Sequence, residues 1–362
     1  MKSVTAREDA GTMTRERHMG AKVGWLRMAT AAACLFSCAS SYAADAAMIE
    51  AAKKEGRVVW YTTLIVNQVV IPLKTAFEKK YPGVTLDYSR NDEGPTAIRL
   101  MNEAKAGRVQ ADVFDGLTVN VPLKREGLLA RIDVPNAAEY PPEMKDVDGT
   151  WHALLLFVFG PGYNTTMVSK AEAPRTYQDL LDPKWKGKMA WNPNSSAGAI
   201  GFVGNIMLSM GPDKGMDYLK ALAKQNVVNV EASSRAILDQ VIAGEYPMGL
   251  MMFNNHTVIS ARKGAPSDWS PLEPVPVAFD SLGIMKDAPH PNAARLLVEF
   301  LLSDEGQTVL KDADYLPANA KIPAIKAGLR PQDGGFKATW MRPDVVDPQM
   351  AGWQRIVKDL FR

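Results

Sequence analysis

The chain of 362 residues is poor in cysteine, with two, and in histidine, with four. Both cysteines, Cys34 and Cys38, fall within the first 43 residues. The remainder therefore has no thiol for a disulfide framework, a cysteine zinc site or a thiol nucleophile. No apolar run reaches the ~20 residues that a membrane-spanning helix requires. Lys+Arg number 42 against 40 Asp+Glu, without a long block of one sign, so nothing in the charge points to nucleic acid as a partner. Catalytic motifs are missing as well: G-x-S-x-G, H-E-x-x-H, G-x-x-x-x-G-K-[ST] and G-x-G-x-x-G do not occur. His152, His256 and His290 carry no carboxylate at metal-ligand spacing. These absences lead us to expect neither an enzyme nor a cofactor.

The opening segment has a pattern of its own. Lys22 and Arg27 precede an uncharged stretch, Met28 to Ala39, and the small residues Ser41 and Ala43 sit where a signal peptidase cuts. Residues 1–43 read as a secretory signal peptide, with Met1 or Met19 as the start. Leu35-Phe36-Ser37-Cys38 fits a lipoprotein processing site poorly at Phe36. Export implies a periplasmic protein whose stability comes from buried apolar surface alone.

Beyond residue 43 the periodicity alternates. Val58-Val59-Trp60-Tyr61 is a continuous apolar run, as in strands buried on both faces. Val70, Leu73 and Phe77 follow at helical spacing, stopped by Tyr81-Pro82-Gly83. Val84, Leu86 and Tyr88 alternate as a strand, residues 95–106 form a helix ended by Gly107, and Ala111-Asp112-Val113-Phe114 is another strand. Strand, helix, strand, helix, strand predicts a wound α/β sheet with right-handed crossovers. The middle repeats this with a strand over 154–159, a Gly160-Pro161-Gly162 turn, a short helix over 175–181, a strand over 188–191 and a helix over 197–210. Gly198, Gly201 and Gly204 suit a closely packed helix, and His290 between two prolines suits a solvated turn. Ala294, Leu297, Val298, Leu301 and Leu302 form an apolar helical stripe. Trp60 and Tyr61 are expected in the core, and Arg99 on the surface.

Polar clusters stand directly after the strands: Thr62-Thr63, Ser89-Arg90-Asn91, Asp115-Gly116-Leu117-Thr118, Asn194-Ser195-Ser196, Ser233-Ser234 and Asn254-Asn255-His256. Each could simply cap a helix. Six of them, at the carboxyl ends of strands where open α/β sheets bind ligands, point instead to a binding cleft.

With those loops in place, the chain resembles the periplasmic solute-binding proteins of ABC importers, in the branch of the ferric-ion-binding proteins. The resemblance runs over residues 48–318. It is carried by Ile49-Glu50-Ala51-Ala52-Lys53-Lys54-Glu55-Gly56, Ala111-Asp112-Val113-Phe114, Tyr163-Asn164-Thr165 and Asp179-Leu180-Leu181-Asp182-Pro183-Lys184-Trp185-Lys186-Gly187-Lys188. Further along come Gly244-Glu245-Tyr246-Pro247-Met248-Gly249, Ala288-Pro289-His290-Pro291-Asn292-Ala293-Ala294 and Phe300-Leu301-Leu302-Ser303-Asp304-Glu305-Gly306-Gln307. It implies a two-lobed type II α/β fold, with mixed sheets joined by crossing hinge strands. Lobe I is expected at 44–152 and again at 276–318, lobe II at 153–275, and C-terminal helices over 319–362. It also implies a monomer that closes on a small solute and docks on an inner-membrane permease.

Iron-binding members place two consecutive tyrosines after a pair of asparagines. Here Asn254-Asn255 are followed by His256 and Thr257, and Gly116-Leu117 offers no carboxylate where those members have a glutamate; Asp115 is one residue away. Ferric iron favours anionic oxygen donors, so bare iron is disfavoured as cargo. The expected solute is a small anion of carboxylate, phosphonate or phosphate type. Its expected contacts are Arg90, Ser195, Ser196, Ser233, Ser234, Asn254, Asn255 and His256, with Thr62, Thr63, Asp115 and Leu117 opposite. Arg90 could equally pair with Asp92 or Glu93. The alternatives are an iron or iron-chelate carrier, a secreted hydrolase, and a metal-carrying protein that uses His256 with Asp115.

Overall fold

The computed structural model describes residues 46–362; the expected signal segment lies outside the described residues. The strands are β1 (Arg57–Thr62), β2 (Thr85–Arg90), β3 (Val113–Gly116), β4 (His152–Asn164), β5 (Met189–Trp191), β6 (Val228–Asn229), β7 (Met248–Phe253), β8 (Ser267–Trp269), β9 (Val275–Ile284), β10 (Leu316–Pro317) and β11 (Ala338–Met341).

β1 pairs in parallel with β2 and β3, the connections being the helices Ile71–Lys80 and Glu93–Lys105. This is the crossover arrangement that alternating strand and helix periods dictate. The sheet continues β2-β1-β3-β9-β4, then β4-β7-β5-β6, with β10 and β8 on β4 and β11 on β9. β4 is the joint. His152–Val158 pair with β9, whereas Phe159–Tyr163 pair with β7. One continuous strand thus serves two sheets, and β9 is buried along its whole length.

Each sheet has its own core. Trp60, Phe77, Trp151, Phe279 and Phe300 belong to the first, together with the helix Pro291–Leu302. Trp185, Trp191, Phe202, Met251 and Trp353 belong to the second. These are lobes I and II. The helix Met350–Phe361 closes the second core by laying Trp353 on Gly204, where a Cβ would lie 2.5 Å from the ring. Gly201 is equally constrained, since a Cβ there would lie 2.1 Å from the Ser196 carbonyl oxygen.

The structure corrects several expectations. Gly160-Pro161-Gly162 is no turn: it lies inside β4, where the register shifts between Gly160 and Gly162. A bulge absorbs the proline, which has no N–H to give the ladder, and a Cβ at Gly160 would sit 2.9 Å from Trp269. β3 begins two residues later than Ala111, and the Asp112 carboxylate accepts the Val59 N–H at 2.8 Å. That carboxylate also takes the His290 backbone N–H at 2.7 Å and pairs with its Nδ1 at 2.9 Å, so His290 is fastened and half-buried where a fully solvated turn was expected. Residues 319–362 contribute β11 besides helices. Trp60 and Tyr61 are buried, and Arg99 lies over the Tyr61 ring at 4.1 Å.

Candidate functional site

In lobe I the loops after β1 and β3 are tied to each other. Thr63 donates its backbone N–H and its hydroxyl to Asp115, both at 3.1 Å, while Thr62 Oγ1 accepts the Leu64 N–H. Thr62 and Asp115 are fully buried. Antiparallel pairing of Asp115 with Leu282 puts Asp280 two residues along the same face, diagonally beside Asp115. Asp115 Oδ2 and Asp280 Oδ1 have no hydrogen-bond partner among the described residues. Burial raises the Asp115 carboxyl to about 7 against the opposing hydrogen bonds of Thr62 and Thr63, and Glu93 adds to the rise. Burial, then Asp115 and Glu93, push Asp280 well above the usual carboxylate range. Tyr315 sits close by: burial first, then these two carboxylates, take its hydroxyl up to about 12.

The loop after β3 turns at Gly116. Beyond it, Leu117 and Thr118 donate their backbone N–H groups to the Glu93 carboxylate at 2.8 and 2.9 Å, and the Thr118 hydroxyl adds a third bond at 3.1 Å. Arg90 pairs with Asp92 at 2.8 Å and remains 42% exposed.

In lobe II the segment between β5 and the helix Ala199–Met210 is held from three sides. Asn192 donates to the Ala232 carbonyl at 2.8 Å, Ser234 Oγ donates to the Ala197 carbonyl at 3.0 Å, and Ser195 Oγ accepts the Ala197 N–H at 3.1 Å. Arg362 donates to Asn194 and to the Pro193 carbonyl. The helix itself has Gly198 at its N-cap and no side-chain cap; Gly198 and Ala199 donate to the carbonyls of Ser195 at 3.0 Å and Asn192 at 2.9 Å, which leaves the N–H groups of Ile200 and Gly201 at its first turn. Ser233 caps the next helix through the Ala236 N–H at 3.2 Å. Asn254 and Asn255 spend their amides on lobe I, on the carbonyls of Leu329 at 2.7 Å and Asp314 at 3.1 Å. Burial, reinforced by Arg235, lowers His256 to about 4, so its ring is neutral.

Between the lobes lies a cavity of about 370 Å³. Its walls are largely apolar, with Leu117, Phe159, Ile200, Met251, Ala278, Met341 and Trp353, and its polar lining includes Glu93, Thr118 and Ser196. Of the residues singled out in the sequence, Leu117 and Ser196 meet here. Thr62 and Asp115 lie in the floor beneath the loops, Asn254 and Asn255 tie the lobes, Ser233 and Ser234 shape the second lobe, and Arg90 and His256 stay outside the lining. Thr118 belongs to a loop expected at the cleft, whereas Glu93, Asp280 and Tyr315 were not expected as site residues. Glu93 opens a helix directly after a polar strand end, a signal that could have found it; Asp280 and Tyr315 carry none.

A two-lobed α/β body whose polar strand ends converge on a cavity between the lobes is the periplasmic-binding-protein fold. The chain belongs to the bacterial extracellular solute-binding protein family, whose pattern matches residues 112–335. It is a solute-binding component of an ABC importer and not an enzyme. It is 26% identical over 243 residues to the Fe(3+)-binding periplasmic protein of Serratia marcescens, covering 64% of this chain and 70% of that protein. It is 24% identical over 293 residues to a putative 2-aminoethylphosphonate-binding periplasmic protein of Salmonella typhimurium, covering 78% and 81%. Among solved structures it is similar to the periplasmic binding protein AfuA of Actinobacillus pleuropneumoniae with fructose-6-phosphate bound. There the TM-score is 0.66 and the identity 25%, over 84% of this chain and 99% of that one.

Proposed function

We propose that this protein captures a small organic anion, a carboxylate, phosphonate or phosphate ester, in the cavity between its lobes in the periplasm, and delivers it as a monomer to an inner-membrane permease. The observation that carries the reading is the cradle in lobe II. Ser195 and Ser196 stand before an uncapped helix, and Asn192, Ser234 and Arg362 fix that loop from behind. The N–H groups of Ile200 and Gly201, left over at the start of a helix of 12 residues, favour an oxyanion. The apolar wall of Phe159, Ile200 and Met251 suits an organic body attached to the anionic group. Two relatives are named or shown with phosphonate or sugar-phosphate ligands, in line with this. Hinge closure follows from the requirement that the solute contact both lobes, since a ligand shifts a conformational equilibrium only by its differential contacts.

A bare ferric ion fits less well. Among the described residues no three His, Cys, Asp or Glu side chains stand together to hold a metal. Of His256 and Asp115, the pair that would serve, Asp115 is taken up by the backbone N–H and hydroxyl of Thr63.

The test is calorimetric titration of the mature chain with a panel: 2-aminoethylphosphonate, sugar phosphates, dicarboxylates and ferric citrate, with ferric iron supplied as a labile complex for comparison. Saturable binding of at least one organic anion is the expected result. Tight binding of iron in the absence of any organic anion would refute the reading.

A further inference from the structure

Gly116 adopts φ 154°. A Cβ there would come within 2.5 Å of Val119 and 3.0 Å of the Glu93 carboxylate. This backbone turn aims two successive N–H groups, of Leu117 and Thr118, together with the Thr118 hydroxyl, at one point. Converging backbone N–H groups of this kind form an anion-binding nest. The group seated in it is a carboxylate of the same chain, brought from the first turn of the helix Glu93–Lys105.

Glu93 is an expensive occupant. It lines the cavity where an anionic solute is to bind, and it raises the carboxyl pKa of both Asp115 and Asp280 below it. Helix capping does not account for it, because the three bonds run to a different loop. The nest is built for an oxyanion and is blocked by one.

We propose that the Leu117–Thr118 nest is an oxyanion subsite of lobe I, and that Glu93 is its exchangeable internal occupant. The carboxylate, phosphonate or phosphate end of a solute displaces it. This inference rests on the organic-anion reading above. Displacement trades one charge-assisted set of hydrogen bonds for a similar one, so a small free anion gains little. A solute that also reaches Ser196 and the apolar wall gains those contacts in addition. Glu93 therefore works as a filter: it lowers the apparent affinity of every anion by the fraction of molecules in which the nest is free, and only solutes with further contacts overcome that handicap.

The experiment uses the full mature chain as wild type, Glu93→Ala and Glu93→Gln, with sodium acetate and inorganic phosphate as probes and sodium chloride as the ionic-strength control. Thermal melts and calorimetry provide the readout. Glu93→Ala should gain a saturable rise in melting temperature with acetate and with phosphate, at half-saturating concentrations at least about tenfold below wild type. Glu93→Gln, which keeps one acceptor without charge, should show the same response at about threefold. Identical responses in all three proteins, or no response in a folded Glu93→Ala, would overturn the proposal. Should Glu93→Ala fail to fold, Glu93→Gln decides alone, equality with wild type counting against it. Failure of the solute panel on the wild type would sink the organic-anion reading, whereas the acetate response of the variants tests the nest by itself.

Discussion

Replacing Asp280 by asparagine should stabilise the protein more the higher the pH. Asp115 and Asp280 are buried side by side, each with an unpartnered oxygen, and both carboxyls are pushed upward, Asp115 to about 7. A carboxyl whose folded pKa exceeds its unfolded value holds its proton in the folded state. Its contribution is complete below the unfolded pKa of about 4 and is lost as pH rises toward the folded one, at roughly 1.4 kcal/mol per pH unit. His152 and His256 act with the opposite sign: burial lowers both to about 4, so they add stability as pH rises from about 4 to the unfolded imidazole value of about 6.5. The histidines are present in both proteins and cancel in the difference between wild type and Asp280→Asn. The asparagine has no carboxyl to ionise, so the loss that Asp280 imposes on the wild type at rising pH is absent from the variant. From about pH 5 upward, as long as the folded wild type holds the Asp280 proton, the variant should gain on it by up to roughly 1.4 kcal/mol per pH unit. Urea denaturation at fixed ionic strength measures this directly. A difference that stays constant with pH, or a variant less stable than wild type near pH 8, would refute the paired-acid account.

Other consequences can be checked independently. Gly204→Ala forces a methyl against the Trp353 ring and should cost roughly 1–3 kcal/mol in chemical denaturation; an unchanged midpoint would mean that the C-terminal helix is loosely seated. Gly116→Ala should destabilise the fold and loosen the Glu93 clasp, which proteolysis near residue 117 would reveal. Ser196→Ala should weaken solute binding by roughly 1 kcal/mol with little change in melting temperature. Arg362→Ala removes the clamp on residues 193 and 194 and should raise the solute dissociation constant while leaving the unfolding midpoint nearly in place.

Much of this architecture is legible in local pattern. The run Val58–Tyr61 and the Leu73–Phe77 spacing announce β1 and the following helix because both depend only on neighbours a few residues away. Gly160-Pro161-Gly162 misleads for the same reason: its composition says turn, and only the packing of Trp269 and the partner strands keeps it extended. Leu117 and Ser196 belong to loops that follow strands, which the sequence pattern picks out, and both line the cavity. The Asp115–Asp280 pair could not be, since it depends on the register of strands 165 residues apart. The Glu93 clasp lies between: the acid at a helix start is visible, but what it binds is set by the shape of another loop. Arg90 shows the reverse limit, because a flexible arginine beside Asp92 has a nearby partner that sequence alone weighs equally with a distant one.

The bulged strand β4 has a mechanical consequence. It belongs to both sheets without a break, and the second core is completed only by Trp353 and Val357 from the final helix. Neither half can therefore be excised as a self-standing fragment, since cutting near residue 158 severs a ladder in each. A chain that emerges from its amino end must wait for its last dozen residues before the second half can become solid, so a nick or truncation there should expose the Trp191 face to proteases while the first half still holds.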